Sequence, residues 1–559
     1  MNKESVKILK NPKKESEIIH TNLFDRDILI YALLGLTILI ILIARIHLLS
    51  IPFERDEGEY AYMGKLILDG HPPYTLAYNM KLPGTYYIYA IIMAIFGRSI
   101  VGVHLGLTCI ILASVLLVFL ISRNFVSKIG SVISAASFGI IGTSWTLLAQ
   151  AAHATHFVNF FALLGIYFLL QLYKRKKSKV LMYFLSGFFF SFAFICKQSG
   201  LFFMLFGIVV ILVKEYKSSP LYSLLKNLLL FSVGFLVPVI IMLLYFYIFG
   251  DFGKFWFWTI TYLSKYAVHV PISNITAMFN EGVKNITNNF SSVGYIALWI
   301  ISLVGIPFIF INKYKKRNTI IIFSFLFFSF LTILPGFYFR NHYFITLLPA
   351  VGLMIAIFFD FFNNFFIQKQ KLPNLVFISL FAFIILAGTG IMANKDYLFK
   401  VNPNITCKRI YGSNPFVESM EIAKFLEKNT NNDDKIAILG SEPQICFYAN
   451  RYSATGYIYT YDLVKIHPYA LSMQKDMINE IEINKPKYIL FIHVSMSWLL
   501  KSNSETFIFR WASKYIDNNY KLVGLMDIFP DRISSLKIGE QLINYHPQSE
   551  EFIYIYQKI

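Results

Sequence analysis

Acidic side chains are scarce in this chain of 559 residues: 32 Asp and Glu stand against 51 Lys and Arg, a net charge of +19. Charged residues of either sign make up 15%, hydrophobic ones 56%, and the mean hydropathy is +0.55. Soluble domains of this length do not have that balance. Cysteine is rare as well. Cys109, Cys196, Cys407 and Cys446 show no C-x-x-C pair and no Cys/His spacing of the metal-site kind, so zinc-ribbon and disulfide-scaffold classes are excluded. Cys109 and Cys196 fall in apolar runs and read as packing residues; Cys407 and Cys446 are able to pair only if their segment is extracytoplasmic. No internal repeat or low-complexity linker stands out, and residues 1–26, too polar and too long for the n-region of a signal, are expected to be a tail and not a cleavable leader.

What the chain has instead is a series of long apolar runs, near 27–50, 101–122, 129–149, 155–173, 180–196, 199–213, 228–249, 291–311, 319–336, 343–362 and 374–393. Most approach or exceed the roughly 18–20 residues that cross a bilayer. The expected fold is a polytopic α-helical membrane protein with about 11 spans. Lys and Arg sit mainly between the runs, so the membrane accounts for the excess charge and nucleic acid is not an expected partner. Arg123 and Lys128, the group 174–179, Lys214, Lys217 and Lys226, the group 313–317, and Lys369 and Lys371 all fall on one side. That side is expected to be cytoplasmic. This gives a cytoplasmic N-terminal tail (1–26), a transmembrane domain (27–399) with a long external loop (51–100), and an extracytoplasmic C-terminal segment. The apolar stretch Gly84–Phe96 is too short to span, and counting it would put every basic cluster outside.

Beyond residue 400 charge density rises. Short strand-like runs at 435–439, 488–492, 521–526 and 552–556 alternate with helical patterns at 415–429 and 469–484. Residues 400–559 are expected to form an α/β domain.

Candidate chemistry concentrates in the external segments. Arg55-Asp56-Glu57-Gly58-Glu59-Tyr60-Ala61-Tyr62 follows the first span, in a region otherwise almost without acid. One reading is a capping box, with Asp56 as N-cap and Glu59 at N3. The other is a general base, Asp56, held by its neighbours at the bilayer surface. Lys81 stands beside a Pro-Gly break, either reaching a lipid phosphate or snorkelling. His153, Thr155 and His156 occupy a short turn; two His three apart resemble half a metal site, but no third ligand can be named. Lys197-Gln198 lies between two apolar runs, where a cation is costly and an anionic partner is natural. Arg340-Asn341-His342-Tyr343 brings a guanidinium able to clamp phosphate with two hydrogen bonds. Asp/Glu, Lys81, Lys197, Arg340 and His342 thus share one face of the membrane. A carboxylate among cations suits group transfer from a phosphate-linked lipid.

At these residues the chain resembles the GT-C membrane glycosyltransferases of the protein mannosyltransferase and aminoarabinose transferase type, glycosyltransferase family 39. The resemblance spans most of 27–393. It rests on Asp56-Glu57-Gly58-Glu59-Tyr60-Ala61-Tyr62, on Gly187 followed by Ala193-Phe194-Ile195-Cys196-Lys197-Gln198-Ser199-Gly200, and on Arg340-Asn341-His342-Tyr343-Phe344 with Leu347-Leu348-Pro349. It implies a polyprenyl-phosphate sugar donor, a lipid, glycan or protein hydroxyl as acceptor, and inversion with Asp56 as base. On this basis Asp56 and Glu57 are the expected catalytic residues; Arg55, Glu59, Tyr62, Lys81, Lys197, Gln198, Arg340, His342 and Tyr343 are expected to bind substrate. No cofactor is expected; a divalent metal is compatible with such a site but not indicated. Met80 and Leu82 stand where aminoarabinose transferases have Glu and Pro, which argues against aminoarabinose transfer to lipid A.

Two other classes fit the composition. One is a multi-pass transporter or flippase of a lipid-linked glycan, for which Asp360 is the clear acid within a span. The other is a non-catalytic cell-envelope assembly protein built around the C-terminal domain.

Overall fold

A computed structural model describes residues 12–172, 179–216, 219–266, 271–287, 293–311, 314, 316–370 and 375–559. The basic positions 174–178, Lys217, Lys313, Lys315 and Lys371, and the first part of the N-terminal tail, lie outside the described residues. The remainder of the tail is helical: the first helix runs Pro12–His47.

Eight helices are long and apolar enough to cross a membrane among the described residues, with shorter apolar ones at Gly84–Phe96, Lys128–Ile141 and Ile378–Ala393. Lys316–Leu331 adds a further apolar helix of 16 residues. Every expected span therefore has a helix, and Gly84–Phe96, at 13 residues, is a short helix in the loop, as its length implied. Two ends differ. The expected span 129–149 stops at Ile141, because Gly142 and a hydrogen-bonded turn lead into the short Trp145–Leu147 helix. The expected span 319–336 stops at Leu331, ahead of Pro335 and Gly336. Both truncations free chain to build the site.

Outward faces of the spans are apolar, as bilayer exposure requires: Leu229, Leu236, Ile240 and Leu244 are exposed along Leu221–Ile248. Inward faces pack closely through glycine. A Cβ on Gly187 would meet the Phe231 carbonyl at 2.0 Å, and one on Gly234 the Phe184 carbonyl at 2.1 Å. Asp360 ties two helices together. Its carboxylate accepts from the Ser127 N–H and hydroxyl, each at 2.6 Å, which ties it to the start of Lys128–Ile141.

The C-terminal domain contains one five-stranded sheet. Its strands are β1 (Ile436–Leu439), β2 (Tyr488–His493), β3 (Tyr520–Asp527), β4 (Ser535–Ile538) and β5 (Phe552–Lys558), in the order β1-β2-β5-β3-β4. β1 and β2 are parallel, joined by a connection containing Ala470–Asn484; the other pairings are antiparallel. β4 escaped the sequence pattern because it is a short edge strand with no buried residue. Cys407 and Cys446 are both buried, and all four cysteines are unpaired; Cys109 is exposed rather than packed.

Candidate functional site

The acidic segment begins a helix, Arg55–Leu68, whose capping box differs from the expected one. Glu54 is the N-cap: its carboxylate accepts the Glu57 N–H at 3.0 Å, and Glu57 reaches back to the Glu54 N–H. Asp56 is thus not needed as a cap. Glu57 faces inward, where its Oε1 meets His104 Nε2 at 2.8 Å and accepts the Ala152 N–H at 2.6 Å. Helical spacing puts Asp56 on a different face, toward a cavity. Gly58 is needed where the helix abuts the C-terminal domain, since a Cβ there would lie 2.7 Å from the Gln444 Cβ.

Two further segments are drawn to Asp56. The 78–84 turn is stitched to the 196–200 turn: Thr85 donates to the Cys196 carbonyl at 3.0 Å and Gln198 to the Met80 carbonyl at 3.1 Å. Gly84 permits this, because a Cβ would strike the Ile195 carbonyl carbon at 2.7 Å. The 335–347 segment is pinned by Asn341 donating to the Thr146 carbonyl at 2.6 Å and Asn159 donating to the Ile345 carbonyl at 2.7 Å. Its turn holds Gly336, Phe337 and Phe339 at positive φ of 75°, 53° and 42°. Left-handed phenylalanines cost of order 1–3 kcal/mol each, and the conformation brings Arg340 and His342 to the cavity.

The result is a cavity of about 240 Å³ lined by Asp56, Lys81, Lys197, Gln198, Arg340, His342 and Tyr343, with Tyr60, Thr155 and Cys196. A second space, about 400 Å³, shares Asp56, Arg340 and His342 and opens between Arg55, His153 and the Tyr411–Asn414 region. Lys81 Nζ contacts Asp56 Oδ1 at 2.9 Å and Glu59 Oε2 at 2.6 Å, and lies over the rings of Tyr60 and Tyr459. Lys197 Nζ sits 3.6 Å from the Tyr343 ring centroid. The rings of His153 and His342 stack at 4.0 Å.

Four expected site residues do other work. Arg55 pairs with Glu442 at 2.5 Å, donates to the Ser441 carbonyl and to Asn414, and only borders the second space. Glu57 braces the turn that carries His153. Glu59 is fully buried and holds Lys81 and the Tyr86 hydroxyl (2.8 Å) behind the cavity wall. Tyr62 is also fully buried; its hydroxyl accepts the Ser453 N–H at 2.8 Å at the domain junction. Conversely, no sequence pattern points the C-terminal domain toward the site. Tyr459, Tyr461, Asp462 and Lys465 line the cavity, and the Tyr459 hydroxyl donates to Asp56 Oδ1 at 2.8 Å. The one trace is the tyrosine-rich run Tyr457-Ile458-Tyr459-Thr460-Tyr461-Asp462.

Electrostatics set the protonation pattern. Burial works against the charge of Asp56, but the Lys81 ammonium and the nearby His342 and His153 hold it well below the usual carboxylate range. Burial likewise opposes Lys81, yet Asp56 and Glu59 keep it well above a normal lysine. Burial pushes Glu59 up to about 7, against the pull of Lys81. It pushes Lys197 down to about 7, with Asp56 opposing, and His153 down to about 4, against Asp56 and Glu57. At neutral pH the pocket therefore holds an ionised Asp56, a protonated Lys81 and a neutral His153. Among the described residues, Asp56, His153 and His342 each have a potential ligand atom, all within 4.8 Å of one another. His156, the other histidine of that turn, is not in this group.

Residues 80–246 match the family model described as dolichyl-phosphate-mannose-protein mannosyltransferase. No curated protein matches the chain. Among solved structures, the chain is similar to ArnT from Cupriavidus metallidurans bound to undecaprenyl phosphate (TM-score 0.53, 10% identity, 94% of this chain and 97% of that one). It is similar to the archaeal oligosaccharyltransferase AglB from Archaeoglobus fulgidus, in complex with an inhibitory peptide and a dolichol-phosphate (TM-score 0.53, 11% identity, 94% of this chain and 75% of that one). The family match covers the part of the chain that holds the 78–84 and 196–200 turns, and the solved structures share the fold of nearly the whole chain.

Proposed function

We propose that the chain transfers a sugar from a polyprenyl-phosphate donor to an acceptor hydroxyl on the extracytoplasmic face, with inversion and with Asp56 as general base. The observation that carries this reading is that Asp56 shares one cavity with Lys81, Lys197 and Arg340. The matched structures hold undecaprenyl phosphate and a dolichol-phosphate, which supports a lipid-phosphate donor.

The donor phosphate lies among the three cations, which stabilise the negative charge that grows as the glycosidic C–O bond breaks. The acceptor hydroxyl attacks the anomeric carbon from the opposite face and passes its proton to Asp56; polyprenyl phosphate leaves with the bonding electron pair. Asp56 is a weak base while the Lys81 ammonium, shared with Glu59, is paired to it. A bound phosphate draws part of that charge away and raises the basicity of Asp56 at the moment the donor arrives. Glu59 has the higher pKa, but it is fully buried and reaches no acceptor. Oδ1 of Asp56 already accepts from Lys81 and Tyr459, so Oδ2 takes the proton. The distribution of the basic loops supports a cavity outside the cytoplasm.

Mass analysis of surface glycans and glycoproteins from cells with and without the protein tests the reading. Loss of one sugar substituent is expected; identical glycans remove glycosyl transfer as the function.

A further inference from the structure

We infer that Lys465, in the C-terminal domain, is a ligand of the phosphate group held in the cavity, so that the lipid-phosphate site is built across the junction of the two domains. The inference rests on the proposed reaction for the identity of the anion. It adds a residue that lies far beyond the family match, which ends at residue 246. Lys465 lines the cavity together with Lys81, Lys197 and Arg340. Four cations and two carboxylates, Asp56 and Asp462, thus face one space of about 240 Å³. Cations gathered away from bulk water repel one another, and a bound anion relieves that repulsion. The excess of positive charge suits a phosphate monoester, which carries about −1.5 to −2 at neutral pH.

Lys465 is held as a binding group is, not as a surface side chain. It ends the short helix Tyr461–Val464 in extended backbone, and its N–H donates to the Tyr461 carbonyl at 3.1 Å. The helix is fixed from several directions. The Thr460 N–H donates to the Ser441 hydroxyl at 2.9 Å, the Tyr461 hydroxyl to the Met496 carbonyl at 2.6 Å, and Gln474 to the Leu463 carbonyl at 2.8 Å. Leu463 and Val464 are buried, and the Lys465 side chain is 20% exposed. An anchored stem loses less freedom when its ammonium meets an anion. Burial lowers the pKa of Lys465, Asp462 and Tyr338 oppose this, and Arg340 lowers it further, which marks Lys465 and Arg340 as cations facing the same space. Asp462 Oδ1 lies 3.7 Å from Lys465 Nζ, beyond hydrogen-bond reach, and has no hydrogen-bond partner. This carboxylate keeps the ammonium charged and competes with phosphate for it.

The test is binding of undecaprenyl phosphate to the full-length protein in detergent. Lys465→Gln is expected to weaken binding about tenfold or more, the scale of one hydrogen bond to a charged group, and Lys465→Arg to keep most of the affinity. Asp462→Asn is expected to tighten binding, because it removes the competing charge. Lys521→Gln, exposed on β3, leaves the affinity unchanged. If Lys465 serves only to pair with Asp462 inside its domain, both variants lower the unfolding midpoint and neither changes the affinity; that result overturns the inference. Should Lys465→Gln fail to fold, Asp462→Asn still decides, since unchanged or weaker binding there overturns it as well. Inorganic phosphate at the same concentration is expected to displace little of the lipid, and full displacement overturns the assignment to a lipid phosphate. Equal affinity in wild type and Lys465→Gln sinks the inference and leaves glycosyl transfer standing. Wild-type protein that binds no undecaprenyl phosphate removes the polyprenyl-phosphate donor and this inference together.

Discussion

The Tyr459 hydroxyl donates to Asp56 Oδ1 at 2.8 Å, across 403 positions of sequence. Tyr459 belongs to the C-terminal domain, so that domain completes the cavity around Asp56 instead of hanging beside it. Its run 456–461 is clamped on both sides. The Tyr78 N–H donates to the Gly456 carbonyl at 2.8 Å, and the Tyr461 hydroxyl to the Met496 carbonyl at 2.6 Å.

Tyr459→Phe removes a donor to the ionised carboxylate. A hydrogen bond to the charged form lowers a pKa, so its loss raises that of Asp56. A base that must be deprotonated then fails at higher pH. The acidic limb of activity, followed as sugar incorporation in membranes containing the native donor and acceptor, is expected to move upward. Tyr520→Phe, whose hydroxyl bonds the Pro486 carbonyl elsewhere in the domain, is expected to leave the profile unmoved. An unshifted limb in Tyr459→Phe speaks against the contact.

Lys197 titrates near neutrality because burial lowers it to about 7. The cation is present below that pH and lost above it. Affinity for undecaprenyl phosphate is therefore expected to fall as pH rises from 6 to 8. Arginine stays charged throughout, so Lys197→Arg flattens the dependence. A wild-type affinity that does not change with pH contradicts the role of Lys197 as a phosphate contact.

Glu57 is predicted to be a brace. Glu57→Gln keeps a carbonyl acceptor for the buried Ala152 N–H and retains most activity. Glu57→Ala strands that N–H, costs about 1–3 kcal/mol of stability and loosens the turn bearing His153. Thermal unfolding and sugar transfer measured on both variants separate this from a catalytic carboxylate, for which both would be inactive.

Arg55 and Glu442 form an ion pair buried between the two domains, 7% and 0% exposed at their side chains. Removing one member of such a pair typically costs about 3–5 kcal/mol. Arg55→Ala is expected to lower the unfolding midpoint and to release the C-terminal domain to proteolysis; an unchanged digestion pattern argues against the clamp.

Much of this was legible in the sequence because bilayer physics writes long, simple signals. The spans appeared as apolar runs, Gly84–Phe96 declared itself by length, and four of the five strands were visible in short apolar runs. Asp56, Lys81, Lys197, Arg340 and His342 were legible because charge is rare there and must be explained. The local assignments were harder. Asp56 looked like the N-cap, but the chain enters the helix two residues earlier, at Glu54, and that rotation sends Glu57 inward. Arg55 and Tyr62 face the C-terminal domain, a partner that sequence spacing cannot reveal. The same is true of Tyr459. His342 as a companion of His153 depended on two turns, 149–153 and 335–342, whose meeting is set by tertiary packing and by backbone at positive φ.

Asp56→Asn decides the central claim. Asparagine keeps the shape and can accept the Lys81 and Tyr459 hydrogen bonds, but it cannot take up a proton. In cells lacking the native protein, this variant is expected to express normally, to unfold at the wild-type temperature and to leave the surface glycans without the added sugar. A normal glycan profile in those cells would contradict the account.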